Sequence, residues 1–264
     1  MKKRNMRGSS VFLALVLVFL YIPVVLMVLY SFNAGDSDVR WEGFSLVWYR
    51  RMLEDTALMD ALGTSLLLGL VSCAISAVIG TLGAIGLAHA RFRAKGALSN
   101  VAILPMMIPE IIMGMAFLAY FSGLGLRLGF GALVLAHVSF CVPYIFIVVR
   151  GRLSGLDPAL REAALDLGAN ERQVLWDVTI PLIAPAILSG TLLAFAMSLD
   201  DVVISSFLTG AELNTLPIKV YSQVKVGVKP EVNALCTVIL LVTFLIVVAA
   251  GGLARYKGKR RVSL

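Results

Sequence analysis

Charge is scarce in this chain, and its scarcity excludes an ordinary water-soluble globular protein. Of the 264 residues, 15% are charged and 59% are hydrophobic, and the mean hydropathy is +0.91. Soluble proteins average about 25% charged and about 45–50% apolar residues. A chain this poor in charge cannot cover its own surface in water, so its apolar excess is expected to face lipid. We therefore predict an integral membrane protein.

Histidines and cysteines, which commonly bind metals or take part in catalysis, are also few. The chain has two histidines and three cysteines, and Cys73, Cys141 and Cys236 stand singly within apolar runs, which is neither a disulfide framework nor a metal-ligand spacing. The sequence also lacks the motifs of nucleotide hydrolases, zincins and serine hydrolases. We expect no enzyme activity, no metal and no cofactor bound by this chain. If it pumps, another subunit supplies the energy.

The net charge of +7 first suggests a nucleic-acid partner, but the placement of the basic residues argues against one. Lysines and arginines cluster beside apolar runs, and no basic stretch is interleaved with exposed aromatics in the way nucleic-acid sites are. Residues 1–10, 91–99, 150–181 and 255–264 hold sixteen of them, whereas residues 33–60, 122–130 and 209–231 hold seven. The positive-inside rule places the richer side in the cytoplasm.

Six apolar runs are candidates to cross a bilayer, which takes about 20 residues each. They cover residues 11–32, 61–90, 101–122, 130–149, 182–208 and 232–254. The sequence therefore predicts an all-α integral membrane protein with six transmembrane helices, in one transmembrane domain over residues 1–264. Both termini are expected in the cytoplasm, with residues 33–60 and 209–231 outside.

The cytoplasmic segment 150–181 predicts two short helices. Asp157 fits an N-cap with Pro158 at the first helical position, and Gly168 can adopt the left-handed conformation that ends a helix. Asn170, followed three residues later by Gln173, is typical of a capping box that begins a second helix. Apolar residues recur at helical spacing along the first helix, and such a stripe outside the membrane requires a partner.

This segment resembles the coupling loop of bacterial ABC importer permeases, which carries the pattern E-A-A-x(3)-G-x(9)-I-x-L-P. The matching residues are Glu162, Ala163, Ala164, Gly168 and Pro181, with Val178 and Ile180 in place of the pattern's Ile and Leu. The resemblance implies the type I permease architecture, in which small alanines let the helix enter a groove of an ATPase subunit. ATP-Mg belongs to that subunit, and its closure drives alternating access. Glu162 would pair with a basic group there; a merely solvated charge is the alternative.

Three acidic residues lie inside apolar runs that contain no lysine or arginine: Glu110, Asp200 and Asp201. A charged side chain at the bilayer centre costs roughly 2.5–3.5 kcal/mol on insertion, so such residues usually line a polar cavity. Pro105 and Pro109 are expected to kink the helix before Glu110 and free carbonyl acceptors. We expect a cationic cargo. One of the adjacent aspartates would face the pathway, and the other would make an interhelical contact or stand at the outer gate; structural pairing is the alternative for each.

Further segments resemble the PotC-like branch of spermidine/putrescine importer permeases: residues 30–33, 41–49, 198–207 and 225–235. The resemblance spans nearly the whole chain and implies polyamine import from periplasm to cytoplasm across the bacterial inner membrane. It also implies a second homologous permease, two ATPase subunits and a periplasmic polyamine-binding protein. A permease for another cation, such as an amino-acid derivative, an opine or ferric iron, is the alternative.

Residues near the expected outer mouth are assigned to contact with that binding protein. They are Trp41, Lys225, Lys229 and Glu231. The lysines oppose a simple attraction of cations, which is why docking is the role we assign to them. An aromatic belt at the membrane interface would also explain the tryptophan. His137 lies on an apolar run beside Ser139, and we expect it to make an interhelical hydrogen bond rather than to bind a ligand.

Overall fold

The computed structural model describes residues 3–36, 40–89, 93–210, 213–226 and 230–245. Within these ranges the regular structure is helical apart from one isolated bridge between Asn33 and Phe44. The helices are α1 Lys3–Tyr30, α2 Val47–Glu54, α3 Thr56–His89, α4 Lys95–Ile103, α5 Glu110–Gly123, α6 Phe130–Ser154, α7 Pro158–Asp166, α8 Glu171–Gln173, α9 Ile180–Asp200, α10 Val203–Leu208, α11 Leu216–Val226 and α12 Pro230–Leu245. A 3-10 turn, Leu104–Met107, follows α4, and a π-helical turn, Val174–Thr179, joins α8 to α9.

Four helices of the described ranges are long and apolar enough to cross a membrane. They are Ser10–Tyr30, Thr56–Ala88, Phe130–Ser154 and the continuous helix Glu171–Asp200. Lys95–Met107 and Glu110–Gly123 would form a fifth span together, although they are bent by 100°. The sixth predicted run, 232–254, overlaps the shorter apolar helix α12, and the rest of the run lies outside the described residues. The all-α membrane fold is therefore confirmed.

Contacts divide the chain into two compact units. One unit consists of Met1–Met59 and Ser222–Leu264, and the other of Asp60–Tyr221. The second unit contains the coupling segment and all three acidic residues predicted to lie within the membrane. The single domain expected over residues 1–264 stays a prediction.

Helix α6 is the centre of the second unit, and it packs against α9 and α4. Its buried face includes side chains of different sizes, namely Leu133, Ala136, Ile145, Phe146 and Val149. Gly190 of α9 lies so close that a Cβ there would stand 3.1 Å from the Cα of Ile145. Helices in lipid gain little from the hydrophobic effect, so their association depends on such close approach.

Substitution of Gly190 tests this contact. Gly190→Val should lower the free energy of unfolding by about 1–3 kcal/mol, because the added methyl groups meet the α6 backbone, which cannot move aside cheaply. Thermal unfolding of the purified protein in detergent measures the change. Gly63→Val in α3 is the matched control, since a Cβ at Gly63 meets no atom within 4 Å. Equal destabilisation by both variants would contradict the packing argument.

The third predicted span bends where its two prolines lie. After the 3-10 turn, Ile108 and Pro109 adopt extended backbone, with ψ of 133° at both residues. Glu110 then opens α5. The expected kink is confirmed, and it is sharper than a proline kink in a continuous helix because two residues leave the helical conformation.

The segment after α1 folds around Asn33, within the first unit. The Asn33 amide nitrogen donates to the Arg40 carbonyl at 2.8 Å, and its side-chain oxygen accepts from the Glu42 N–H at 2.7 Å. The indole N–H of Trp48 donates to the Asn33 carbonyl at 2.8 Å. Trp48 is only 4% exposed, so its ring packs inside this segment; the location of residues 33–60 on the outer side stays a prediction.

Candidate functional site

The coupling segment begins as the sequence predicts. The Asp157 side chain accepts a hydrogen bond from the Ala159 N–H at 2.9 Å, and Pro158 occupies the first turn of α7. At the other end, Gly168 has φ +87°, the left-handed conformation that a helix C-terminus requires and that glycine adopts without steric cost. The Ala169 N–H then closes the turn onto the Ala164 carbonyl at 3.1 Å.

The second predicted helix is not a separate short element. Asn170 and Gln173 form the expected capping box, with bonds of 2.8 and 3.0 Å between side chain and backbone. The helix then runs through the π-helical turn into α9 and continues to Asp200. Pro181 is the second residue after this turn. Proline lacks an N–H and crowds the carbonyl four residues back, and a widened turn relieves both problems. The coupling segment is therefore joined rigidly to a membrane span.

Large apolar side chains on the coupling segment are exposed. Leu167 is 90% exposed, Trp176 66% and Leu160 47%. Glu162 and Ala163 are exposed as well, and Ala164 is half-buried. Arg161 pairs with Glu171 and so ties α7 to α8, whereas Glu162 forms no ion pair with the described residues. A rigid, exposed apolar surface of this kind requires a partner outside the membrane.

A cavity of about 780 Å³ opens beside α7. Glu162 lines it together with neighbours from the surrounding helices: Ala88, Lys95, Leu153, Leu156, Asp157, Pro158, Leu160, Arg161, Val178, Thr179 and Leu182. The cavity leaves one side of the coupling helix unfilled, while α7 packs against the π-helical turn Val174–Thr179 and is tied to α8 by the Arg161–Glu171 pair.

The three membrane carboxylates occupy different environments. Glu110 is the first residue of α5 and Asp200 the last residue of α9, and both side chains are exposed. Asp201 is buried. Glu110 and Asp201 line one cavity of about 50 Å³, whose other walls are Pro105, Met106, Ile108, Met113, Phe140, Tyr144, Met197 and Ile204.

Asp201 caps the helix that follows it. Its backbone is extended, with ψ of 111°, which ends α9. One carboxylate oxygen accepts from the Ile204 N–H at 3.0 Å, and the other accepts from the Ser205 N–H at 2.8 Å and the Ser205 hydroxyl at 2.6 Å. The carboxylate thus satisfies the free N–H groups and the positive end of α10. This structural role uses most of its acceptor capacity.

His137 makes the interhelical hydrogen bonds that the sequence predicts. The ring is fully buried on α6. Its Nδ1 lies 2.8 Å from the Ser198 hydroxyl of α9, and its Nε2 lies 3.2 Å from the Ser205 hydroxyl of α10. Nε2 also lies 3.4 Å from the Asp201 carboxylate. The sequence does not identify Ser198 or Ser205 as its partners. The only local pattern that involves these partners is the Asp-x-x-x-Ser spacing of Asp201 and Ser205, and it indicates a helix cap rather than a bond to His137.

The predicted outer-mouth residues belong to the first unit. Trp41 is 51% exposed, and its contact with a binding protein stays a prediction. Lys225 lies in the last turn of α11 and Glu231 in the first turn of α12, where their charges stabilise the helix ends. Lys229 lies outside the described residues. These helix-end positions give both charges a structural role in addition to any docking role.

The comparisons with known proteins agree on one kind of protein. A family model described as "Binding-protein-dependent transport system inner membrane component" matches residues 77–262. The spermidine/putrescine transport system permease protein PotC of Escherichia coli strain K12 is 40% identical over 256 residues, which cover 97% of this chain and 96% of that protein. The putrescine transport system permease protein PotI of the same strain is 42% identical over 237 residues, or 87% of this chain and 84% of that protein.

A solved structure shows the same fold. The chain matches a subunit of a bacterial ABC transporter involved in the import of the acidic polysaccharide alginate, with a TM-score of 0.76 and 19% identity. The match covers 96% of this chain and 98% of that one. The ABC importer permease architecture expected from the coupling pattern is therefore confirmed.

Proposed function

Because the chain belongs to the family of inner-membrane components of binding-protein-dependent transport systems, we propose that it is a polyamine-importing permease subunit. It moves spermidine or putrescine from the periplasm to the cytoplasm by alternating access. The observation that carries the proposal is the identity of 40–42% to permeases named for these substrates. Acidic groups within the membrane add an independent argument from chemistry.

Two exposed carboxylates in membrane helices suit a cargo of ammonium groups. Glu110 and Asp200 have no basic residue in their own predicted spans, and an exposed carboxylate is costly against lipid. We assign both to a water-filled pathway. The cavity beside Glu110 adds the rings of Phe140 and Tyr144, whose faces attract cations. Asp201 borders the same cavity from its cap position, so it adds negative potential there rather than a free ligand.

The coupling segment supports an ATP-driven mechanism in which this chain hydrolyses nothing itself. Exposed Leu160, Leu167 and Trp176 form the surface that we assign to an ATPase subunit, with Ala163 and Ala164 permitting close approach. Glu162 would pair with a basic group of that subunit. ATP-Mg binds to the ATPase subunits, and the closure of these two subunits pushes on α7. The push passes into the membrane directly, because α8 and α9 form one continuous helix.

The complete importer contains further partners of defined chemistry. We propose a heterodimer with a second homologous permease, two ATPase subunits and a periplasmic polyamine-binding protein that contacts Trp41, Lys225, Lys229 and Glu231. The chain lies in the bacterial inner membrane with both termini in the cytoplasm, as the lysine and arginine distribution favours.

Uptake of radiolabelled spermidine and putrescine tests the substrate. The chain is expressed with its partner subunits in cells that lack their own polyamine importers, and a hydrolysis-deficient ATPase subunit is the control. We expect uptake of at least one polyamine that the control loses. If the complex is intact and its ATPase is active but neither polyamine is taken up, the chain is still assigned to an importer, and polyamines are rejected as its substrate. An amino-acid-derived cation, an opine and ferric iron would then be tested as cargo.

A further inference from the structure

The hydrogen bonds around His137 involve both nitrogens of its ring. The Asp201 carboxylate accepts a hydrogen bond of 2.6 Å from the Ser205 hydroxyl. The Ser205 oxygen can then only accept from the imidazole, so Nε2 carries the ring proton. On the other side of the ring, Nδ1 forms a hydrogen bond of 2.8 Å with the Ser198 hydroxyl. These two buried hydrogen bonds hold the ring in place from both sides.

This arrangement bridges a break in the backbone. Ser198 belongs to α9 and Ser205 to α10, and the extended backbone at Asp201 separates the two helices. An extended junction has no helical hydrogen bonds to hold the two segments at a set angle. His137 supplies the missing connection from α6, since its two nitrogens bond to one hydroxyl on each side of the break.

One exposed carboxylate lies on a helix that His137 contacts, and the other lies on a helix that packs against α10. Asp200 is the last residue of α9, directly before the break. Glu110 opens α5, and α10 packs against α5, where Phe207 lies so close to Gly114 that a Cβ there would stand 2.5 Å from the ring. The position of α10 relative to α9 therefore sets the separation of Glu110 and Asp200.

We propose that His137 is a positioning residue of the importer, which clamps α9 and α10 and thereby fixes the separation of the Glu110 and Asp200 carboxylates. The inference rests on the proposed function, in which these carboxylates receive ammonium groups. Putrescine and spermidine differ in the number and spacing of their ammonium groups. A fixed pair of carboxylates discriminates between such cations, and a loose pair discriminates less. Loss of the clamp therefore alters selectivity.

The selectivity test uses three variants in the complete complex, reconstituted in liposomes. His137→Leu removes both hydrogen bonds, Ser198→Ala removes the bond to α9 alone, and His137→Gln keeps a donor and an acceptor. We expect the spermidine-to-putrescine uptake ratio per assembled complex to change by about threefold or more in His137→Leu and by less in His137→Gln. A purely structural role lowers both uptakes equally, and an unchanged ratio in all three variants would overturn the proposal.

A distance measurement tests the clamp without any substrate. Nitroxide labels are attached at Ile111→Cys in α5 and Leu193→Cys in α9, two exposed positions, after Cys73, Cys141 and Cys236 are replaced by alanine. We expect His137→Leu to broaden or shift the distance distribution, and Ser198→Ala to do so if the leucine variant fails to assemble. An unaltered distribution would refute the clamp. If the unmodified complex takes up no polyamine but the distance distribution still changes in the variant, polyamines are rejected as the substrate. The role of His137 as a clamp between α9 and α10 is then supported independently.

Discussion

Replacing Gly168 by valine should reduce ATP-driven uptake by about tenfold or more while the chain still inserts and assembles. Gly168 has φ +87°, and a β-branched residue in that region is strained by about 1–3 kcal/mol. The turn after α7 would shift to relieve the strain, so the coupling helix would no longer meet the ATPase in its productive orientation. Uptake per assembled complex, measured beside the ATPase rate, reports this uncoupling.

Two further variants separate backbone strain from bulk. Gly168→Asn should keep most of the activity, because asparagine tolerates the left-handed region better than other non-glycine residues. Gly151→Val in α6 places the same side chain where a Cβ meets no atom within 4 Å, and it should leave coupling intact. Near-normal uptake by Gly168→Val at equal expression would remove the coupling assignment.

Charge at the coupling helix gives an independent test of the same docking. Glu162→Lys places a positive charge where a basic group of the ATPase is expected, so uptake should fall by about tenfold or more without loss of membrane insertion. Glu171→Lys serves as a contrast, since it disrupts the Arg161–Glu171 pair that lies beside the motif. If Glu162→Lys transported normally, the glutamate would be only a solvated charge.

The coupling segment was predictable because its signals are local. Asp157, Asn170, Gln173 and Gly168 act on backbone groups within a few residues, and the structure shows each of the expected caps. The continuity of α8 with α9 was not predictable in the same way. It depends on a π-helical turn ahead of Pro181, whereas proline in a sequence ordinarily signals an interruption or a helix start.

The membrane carboxylates show where prediction from sequence stops. The high cost of placing a charge in the membrane identified Glu110, Asp200 and Asp201 together. Asp200 and Asp201 nevertheless differ in role, because the helix breaks at Asp201, and the apolar run 182–208 gives no sign of that break. Trp48 illustrates the same limit. Its indole is buried by a bond to the Asn33 carbonyl, fifteen residues earlier, and no local pattern encodes that contact. A contact between distant residues decides the burial of Trp48, whereas local bonds to Ile204 and Ser205 at the helix break decide the role of Asp201.

Neutralising Glu110 and Asp200 together should lower polyamine uptake by about tenfold or more at an unchanged amount of assembled complex. Hydrogen bonds to charged groups contribute about 1.5–3 kcal/mol each, and the amide side chains of Glu110→Gln and Asp200→Asn no longer carry the negative charge that attracts ammonium. Both positions are exposed in this chain, so the folded protein loses no buried contact. Normal uptake by the double variant would move both residues to a structural role.

The same substitution one residue later should have a different effect, and this contrast is the sharpest test of the site. In Asp201→Asn, one oxygen of the carboxylate becomes an NH₂ group, although the two oxygens face the N–H groups of Ile204 and Ser205. A donor then meets a donor in a buried position, which costs about 1–3 kcal/mol. Asp201→Asn should therefore reduce the amount of assembled complex, whereas Asp200→Asn should reduce uptake per complex. Equal behaviour of the two variants, measured by quantifying the purified complex and its uptake in parallel, would mean that the cap and the pathway are not separate roles.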